Sequence, residues 1–164
     1  MKLIQITDFH LFSKKQKKLN NVTTYDGFKK TIKYIKKNEK NIDEILVTGD
    51  VSEDGSIESY ELAIDEIKNF KKNIYFIHGN HDDKKNINMI FYKEKFVKKI
   101  EELNHKSWDF IEINTVKEGY DFGFITEKEL INIDNKLLIS KKFNKKSRLN
   151  YASSSISSWN PFNR

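Results

Sequence analysis

Asp8 and His10, then Asp50, then the run Asn80-His81-Asp82 carry the donor atoms that divalent metal chemistry needs. Each group follows a short apolar run: Leu3 to Thr7, Ile45 to Val47, and Ile74 to Ile77. Two metal ions held about 3.5–4 Å apart need a bridging anion to offset their repulsion. Asp50 suits that place, because a carboxylate can offer one oxygen to each ion. Asp8 and His10 would serve the first ion, and Asn80 would give a neutral carbonyl oxygen to the second. Mixed oxygen and imidazole donors favour Mn, Fe or Zn over Ca or Mg. His81 would stand beside the second ion as a proton donor to a leaving alkoxide or as a cationic clamp on phosphate, with Asp82 orienting its ring. Gly49 and Gly79 precede two of these groups and let the backbone turn sharply there. Any one of these motifs alone reads as an ordinary turn or helix cap; three of them, each at the end of an apolar run, read as one site.

The elements that must position them alternate between strand and helix periods. Phe28, Ile32 and Ile35 predict a helix over about 26–37, and Ile57, Tyr60, Ile64 and Ile67 a second over 56–70. Residues 16–23 read as a loop, and 84–103 as helical, most clearly from Lys93 onward. Phe110, Ile111 and Ile113 mark a fourth strand. Thr126 and Glu129 have capping-box spacing ahead of Leu130, Ile133 and Leu137 and predict a last helix. This alternation is that of an α/β chain with a largely parallel sheet. In such sheets ligands bind at the carboxyl edge of the strands, so residues 8, 10, 50, 80 and 81 are expected to converge.

The 164 residues suffice for one domain with a real core. With no cysteine, thiolate metal sites and disulfides are excluded. The net charge of +6 comes almost wholly from lysines spread along the chain. It reads as a global bias rather than a nucleic-acid-binding patch, and no run is long and apolar enough for a membrane span. The first residues do not read as a signal peptide, so the expected compartment is the cytoplasm. Domain boundaries are expected at 1–140 for the folded domain and 141–164 for a divergent Lys- and Ser-rich tail, poorly ordered from Ser147 on.

Asp8-Phe9-His10, Gly49-Asp50 and Gly79-Asn80-His81-Asp82 resemble the first three motifs of the calcineurin-like metallophosphoesterases. Thr48 to Ser56 with Glu58-Ser59-Tyr60, and Trp108 to Leu138 with Gly123 before Glu129-Leu130, are similar to the bacterial class III cyclic-nucleotide phosphodiesterases. The resemblance implies a four-layer αββα sandwich and a dinuclear metal centre, often Fe or Mn. It implies Asp8 and His10 on one metal, Asp50 as the bridge, Asn80 on the other, and His81 assisting hydrolysis. The implied substrate is a small phosphodiester, with a 3′,5′-cyclic nucleotide such as cAMP as the leading candidate.

The chain departs from that family in its histidines. The family supplies a strand-end His and a Gly-His-x-His motif downstream, whereas here only His105 follows His81. The second sheet is therefore expected to be incomplete. The expectation is a C-terminally truncated homologue, and the alternative to an active enzyme is an inactive homologue or binding module. His78 stands where the family usually has Pro, and reads as a hydrogen-bonded strand-end residue more than a ligand; His105 reads as a surface loop residue.

Overall fold

The computed structural model describes residues 1–117, 120 and 122–151. The chain runs β1 (Leu3–Ile6), β2 (Lys18–Leu19), β3 (Val22–Thr23), α1 (Thr24–Asn38), β4 (Glu44–Thr48) and α2 (Ile57–Ile67). It continues through β5 (Ile74–Ile77), α3 (Lys84–Phe91), β6 (Val97–Lys99), β7 (Trp108–Ile113), α4 (Glu127–Lys142) and β8 (Lys146–Tyr151). The first sheet is parallel, in the order β1-β4-β5-β6.

Side chains alternate across a strand with period two, and the central strands are buried on both faces. Ile45, Val47, Ile74 and Phe76 point to one side and meet Phe28, Ile32 and Ile35 of α1, Tyr60, Ile64 and Ile67 of α2, and Ile87 and Phe91 of α3. Leu46, Tyr75 and Ile77 point to the other side and meet Ile100, Leu103 and Phe110. Phe110 belongs to β7, which pairs in parallel with β8 to make a second sheet. α4 bridges those two strands and covers them. Its Ser140 hydroxyl donates to Asp109 at 2.7 Å, and Lys145 reaches the same carboxylate at 2.8 Å. The layers are thus helices, four-stranded sheet, two-stranded sheet, helix: an α/β architecture with the αββα order.

Several local expectations are corrected. Residues 16–23 include a small hairpin, β2–β3, whose turn residues Asn20 and Asn21 both have positive φ, at 47° and 66°, as a two-residue type I′ turn requires. The helix expected over 84–103 stops at Phe91, and Val97–Lys99 is the edge strand β6. The pairing of Val97 with Ile74 outweighs the helical preference of the surrounding Lys and Glu residues. Residues 147–151, expected within the poorly ordered tail, form most of β8, because β7 offers them an edge and α4 returns the chain beside it in parallel. The Ser-rich segment from Ser153 to Ser158 lies outside the described residues.

Candidate metal centre

The loops leaving β1 and β4 are laced together beyond the ends of their strands. Asp8 N–H donates to the Gly49 carbonyl, His10 N–H to that of Asp50, and Leu11 N–H to that of Val51, at 3.2, 2.9 and 2.9 Å. Glu53 N–H returns a bond to the Leu11 carbonyl at 2.8 Å. Along this ribbon Asp8, His10 and Asp50 adopt left-handed backbone, with φ of 58°, 45° and 50°, and Gly49 has φ 87°. Non-glycine residues pay for that conformation and keep it where surrounding structure insists. Its effect here is to turn three donor side chains toward one point. One donor atom from each of Asp8, His10 and Asp50 lies within 4.8 Å of the other two.

The third loop is pressed against the same point. His81 N–H donates to Asp50 Oδ1 at 3.2 Å. A Cβ on Gly79 would collide with that same carboxylate oxygen, so glycine there is a condition of the approach. Between them sits Asn80, whose side-chain oxygen is buried without a hydrogen-bond partner. A buried carbonyl oxygen left unpaired is costly. An orphaned oxygen of this kind fits a ligand for a cation. Asp8, His10 and Asp50 thus converge, and with Asn80 in the adjoining loop they offer donor types that would suit a divalent metal: two carboxylates, an imidazole and a neutral oxygen.

Other side chains fall differently from the sequence reading. Asp82, expected to orient His81, is buried and accepts from the backbone N–H groups of Ser52 at 3.0 Å and Gly79 at 2.8 Å. It staples the second loop to the third. Burial pushes its carboxyl up to about 6; the backbone bonds pull the other way, and Asp50 adds to the rise. The carboxylate that reaches the His81 ring is Glu53, which also lies 2.7 Å from His10 Nδ1. Sequence reasoning gave Glu53 no role of its own; it entered only within the Thr48 to Ser56 stretch. His78 is half-buried, and burial together with Lys84 holds its imidazole below the usual range. His105 accepts from Ser107 N–H in the turn before β7. It lines a separate hollow with Met1, Trp108 and Arg148.

Asp54 secures the ribbon from outside. Its carboxylate accepts from the backbone and hydroxyl of Ser13 and from the hydroxyl of Ser56. Burial alone would raise it, but these bonds prevail and hold it at about 2. A cavity of about 400 Å³ opens beside Asp8 and His10, with Ile6, Phe9, Val22 and Phe28 among its walls. No helix among the described residues is long and apolar enough to cross a membrane.

A family model for calcineurin-like phosphoesterases matches residues 1–162. A probable cyclic nucleotide phosphodiesterase of Xenorhabdus bovienii is 34% identical over 148 residues, covering 88% of this chain and 60% of that protein. The 3′,5′-cyclic adenosine monophosphate phosphodiesterase CpdA of Vibrio vulnificus is 28% identical over 144 residues, covering 88% and 53%. A probable glycerophosphodiester phosphodiesterase GpdQ of Arcobacter nitrofigilis is also 28% identical over 144 residues, covering 84% and 52%. The chain thus spans between about half and three-fifths of the length of these relatives.

Proposed function

The chain belongs to the calcineurin-like phosphoesterase family, and on that premise we propose that it is a metal-dependent phosphodiesterase acting on a small phosphodiester. The leading substrate is a 3′,5′-cyclic nucleotide such as cAMP. Asp8 and His10 would hold one divalent ion, Asn80 the other, and Asp50 both, with Mn, Fe or Zn the metals best matched to these donors. The single observation that carries this reading is the meeting of Asp8, His10 and Asp50, and the buried, unpartnered Asn80 oxygen in the next loop supports it. When bound, the ions would supply positive charge that activates water and draws electron density from the phosphoryl oxygens.

The chain's own residues would do the rest. His81 is partly exposed at the rim, its Nδ1 3.4 Å from Glu53 Oε2. The ring would pass a proton to the leaving alkoxide. The neighbouring cavity falls within the range for small-molecule sites. Its apolar walls suit the base of a nucleotide better than a bare phosphate. The names of the relatives from Xenorhabdus and Vibrio support a cyclic nucleotide, and that of the Arcobacter relative supports another small phosphodiester.

A second reading is a metal-holding module without turnover. It is favoured by the small donor set, since four side chains would serve two ions. Hydrolysis of cAMP and of a chromogenic phosphodiester by Mn²⁺-loaded protein, with Asp50→Ala and His81→Ala beside it, decides between them. Catalysis should vanish in Asp50→Ala and fall by about 10²–10⁴ in His81→Ala. Equal turnover in wild type and Asp50→Ala removes the phosphoesterase reading, and bound metal without turnover selects the second.

A further inference from the structure

We infer that α4 is a self-association surface: it pairs antiparallel with α4 of a second copy of this chain to make a two-fold symmetric dimer. A helix that covers one sheet needs a single apolar stripe, and α4 is apolar on two sides. Ile133 and Ser140 are buried on its inner side, where the Ser140 hydroxyl donates to Asp109 of β7. On its outer side Ile131, Leu138, Ile139 and Phe143 are 62%, 64%, 56% and 67% exposed. Scattered singly, exposed apolar side chains are ordinary. Four of them gathered along one helix and its cap form the kind of patch that marks an interface.

The order of residues along that side says what covers it. Positions 127, 131, 135, 138 and 142 follow at steps of three and four, so they share one face. They read Glu, Ile, Asn, Leu, Lys, and all five are exposed. Reversed, that row complements itself. Laid antiparallel about an axis between residues 134 and 135, Glu127 falls opposite Lys142 of the second copy, Ile131 opposite its Leu138, and Asn135 opposite its Asp134. Each contact occurs twice, as an isologous interface requires. A parallel pairing would instead set Glu127 against Glu127 and Lys142 against Lys142. Charge complementarity thus selects both the occupant and its direction. Because α4 is the outermost layer over β7 and β8, the two domains lie on opposite sides of the seam. A helix of 16 residues spans about 24 Å. The interface is therefore small, and a dissociation constant of about 1–100 µM is expected. The pairing is independent of the phosphoesterase reading.

Sedimentation equilibrium of the full chain tests it. Wild type should interconvert between monomer and dimer, and the double variant Ile131→Lys with Leu138→Lys should stay monomeric over the same range. Glu127→Lys and Lys142→Glu should each weaken association by about ten-fold. An equimolar mixture of those two variants should recover wild-type association, because every contact between positions 127 and 142 then joins opposite charges. The chain has no cysteine, so Asn135→Cys should give a disulfide-linked dimer on mild oxidation. Glu127→Cys should not, since its counterpart would lie about 22 Å away along the seam. Wild type that remains monomeric at about 500 µM overturns the proposal and leaves the face to another occupant. A dimer that the paired lysines leave intact also overturns it, as does one that cross-links through Glu127→Cys and not through Asn135→Cys. Should the double lysine variant fail to fold, the mixing and cross-linking results decide alone.

Discussion

Gly79 shows how little room the centre allows. A methyl group there meets the Asp50 carboxylate, so Gly79→Ala must push aside either that carboxylate or the loop carrying Asn80. Mn²⁺ affinity is expected to drop by at least ten-fold in Gly79→Ala, measured by calorimetry, with the fold retained by circular dichroism; unchanged affinity would mean that Asp50 is not held where the metal needs it. Asp82 contributes to the pH response of the metal-free protein. Its carboxyl rises from 3.8 to about 6 on folding, chiefly through burial. Below about pH 4 it is protonated in both states and costs nothing. Between pH 4 and 6 the unfolded chain gives up the proton first, so stability falls as pH rises, and above pH 6 the full cost is present. At about 1.4 kcal/mol per pKa unit this is roughly 3 kcal/mol. Urea unfolding at pH 4 and pH 7 should show a larger loss in wild type than in Asp82→Asn, which forfeits one backbone bond at both pH values. Equal pH differences would contradict the assignment. At this scale the convergence of Asp8, His10 and Asp50 was legible, because each follows the end of an apolar strand. Glu53 was not, since the ribbon that folds it onto His10 depends on left-handed backbone at Asp8, His10 and Asp50, which spacing does not announce.

Elements were legible where a period and a cap agreed. Thr126 does cap α4, accepting from Glu129 N–H at 3.1 Å, and Ser56 caps α2 by the same device with Ser59. Replacing Thr126 with Ala should cost about 1 kcal/mol in urea unfolding. Mn²⁺ affinity should stay as in wild type, because α4 lies on the far sheet; a matching loss of affinity would show the two to be coupled. Strands without an apolar run were illegible. β6 has three residues, too few to display a period of two, and its sequence is flanked by good helix formers. β8 carries Lys146, Ser147, Arg148 and Asn150. Only its register against β7, from Trp108 with Lys146 to Ile113 with Tyr151, makes it a strand. Both gain their structure from partners distant in sequence, which local propensity cannot contain.

For the molecule as a whole, the two sheets divide the work. The loops beyond the carboxyl edge of the four-stranded sheet carry Asp8, His10 and Asp50, and the second sheet buries that sheet's other face through Phe110 against Leu46, Tyr75 and Ile77. Arg148 adds a hydrogen bond across to Gln5 of β1 at 2.9 Å. Phe110→Ala should therefore cost about 3–5 kcal/mol of stability. Mn²⁺ affinity should be unaltered under conditions where the variant is fully folded, and a specific loss of metal with stability intact would reverse this division. The charge excess is carried by lysines on many elements, and the centre itself is acidic, with Asp8, Asp50 and Glu53 together. The account stands on that acidic point holding cations, and a crystal grown with Mn²⁺ and measured for anomalous scattering tests it most directly. Two peaks about 3.5–4 Å apart are expected, one touching Asp8, His10 and Asp50 and the other touching Asp50 and the Asn80 oxygen. Manganese bound elsewhere, with the Asp8 and Asp50 carboxylates sharing no ion, would contradict it.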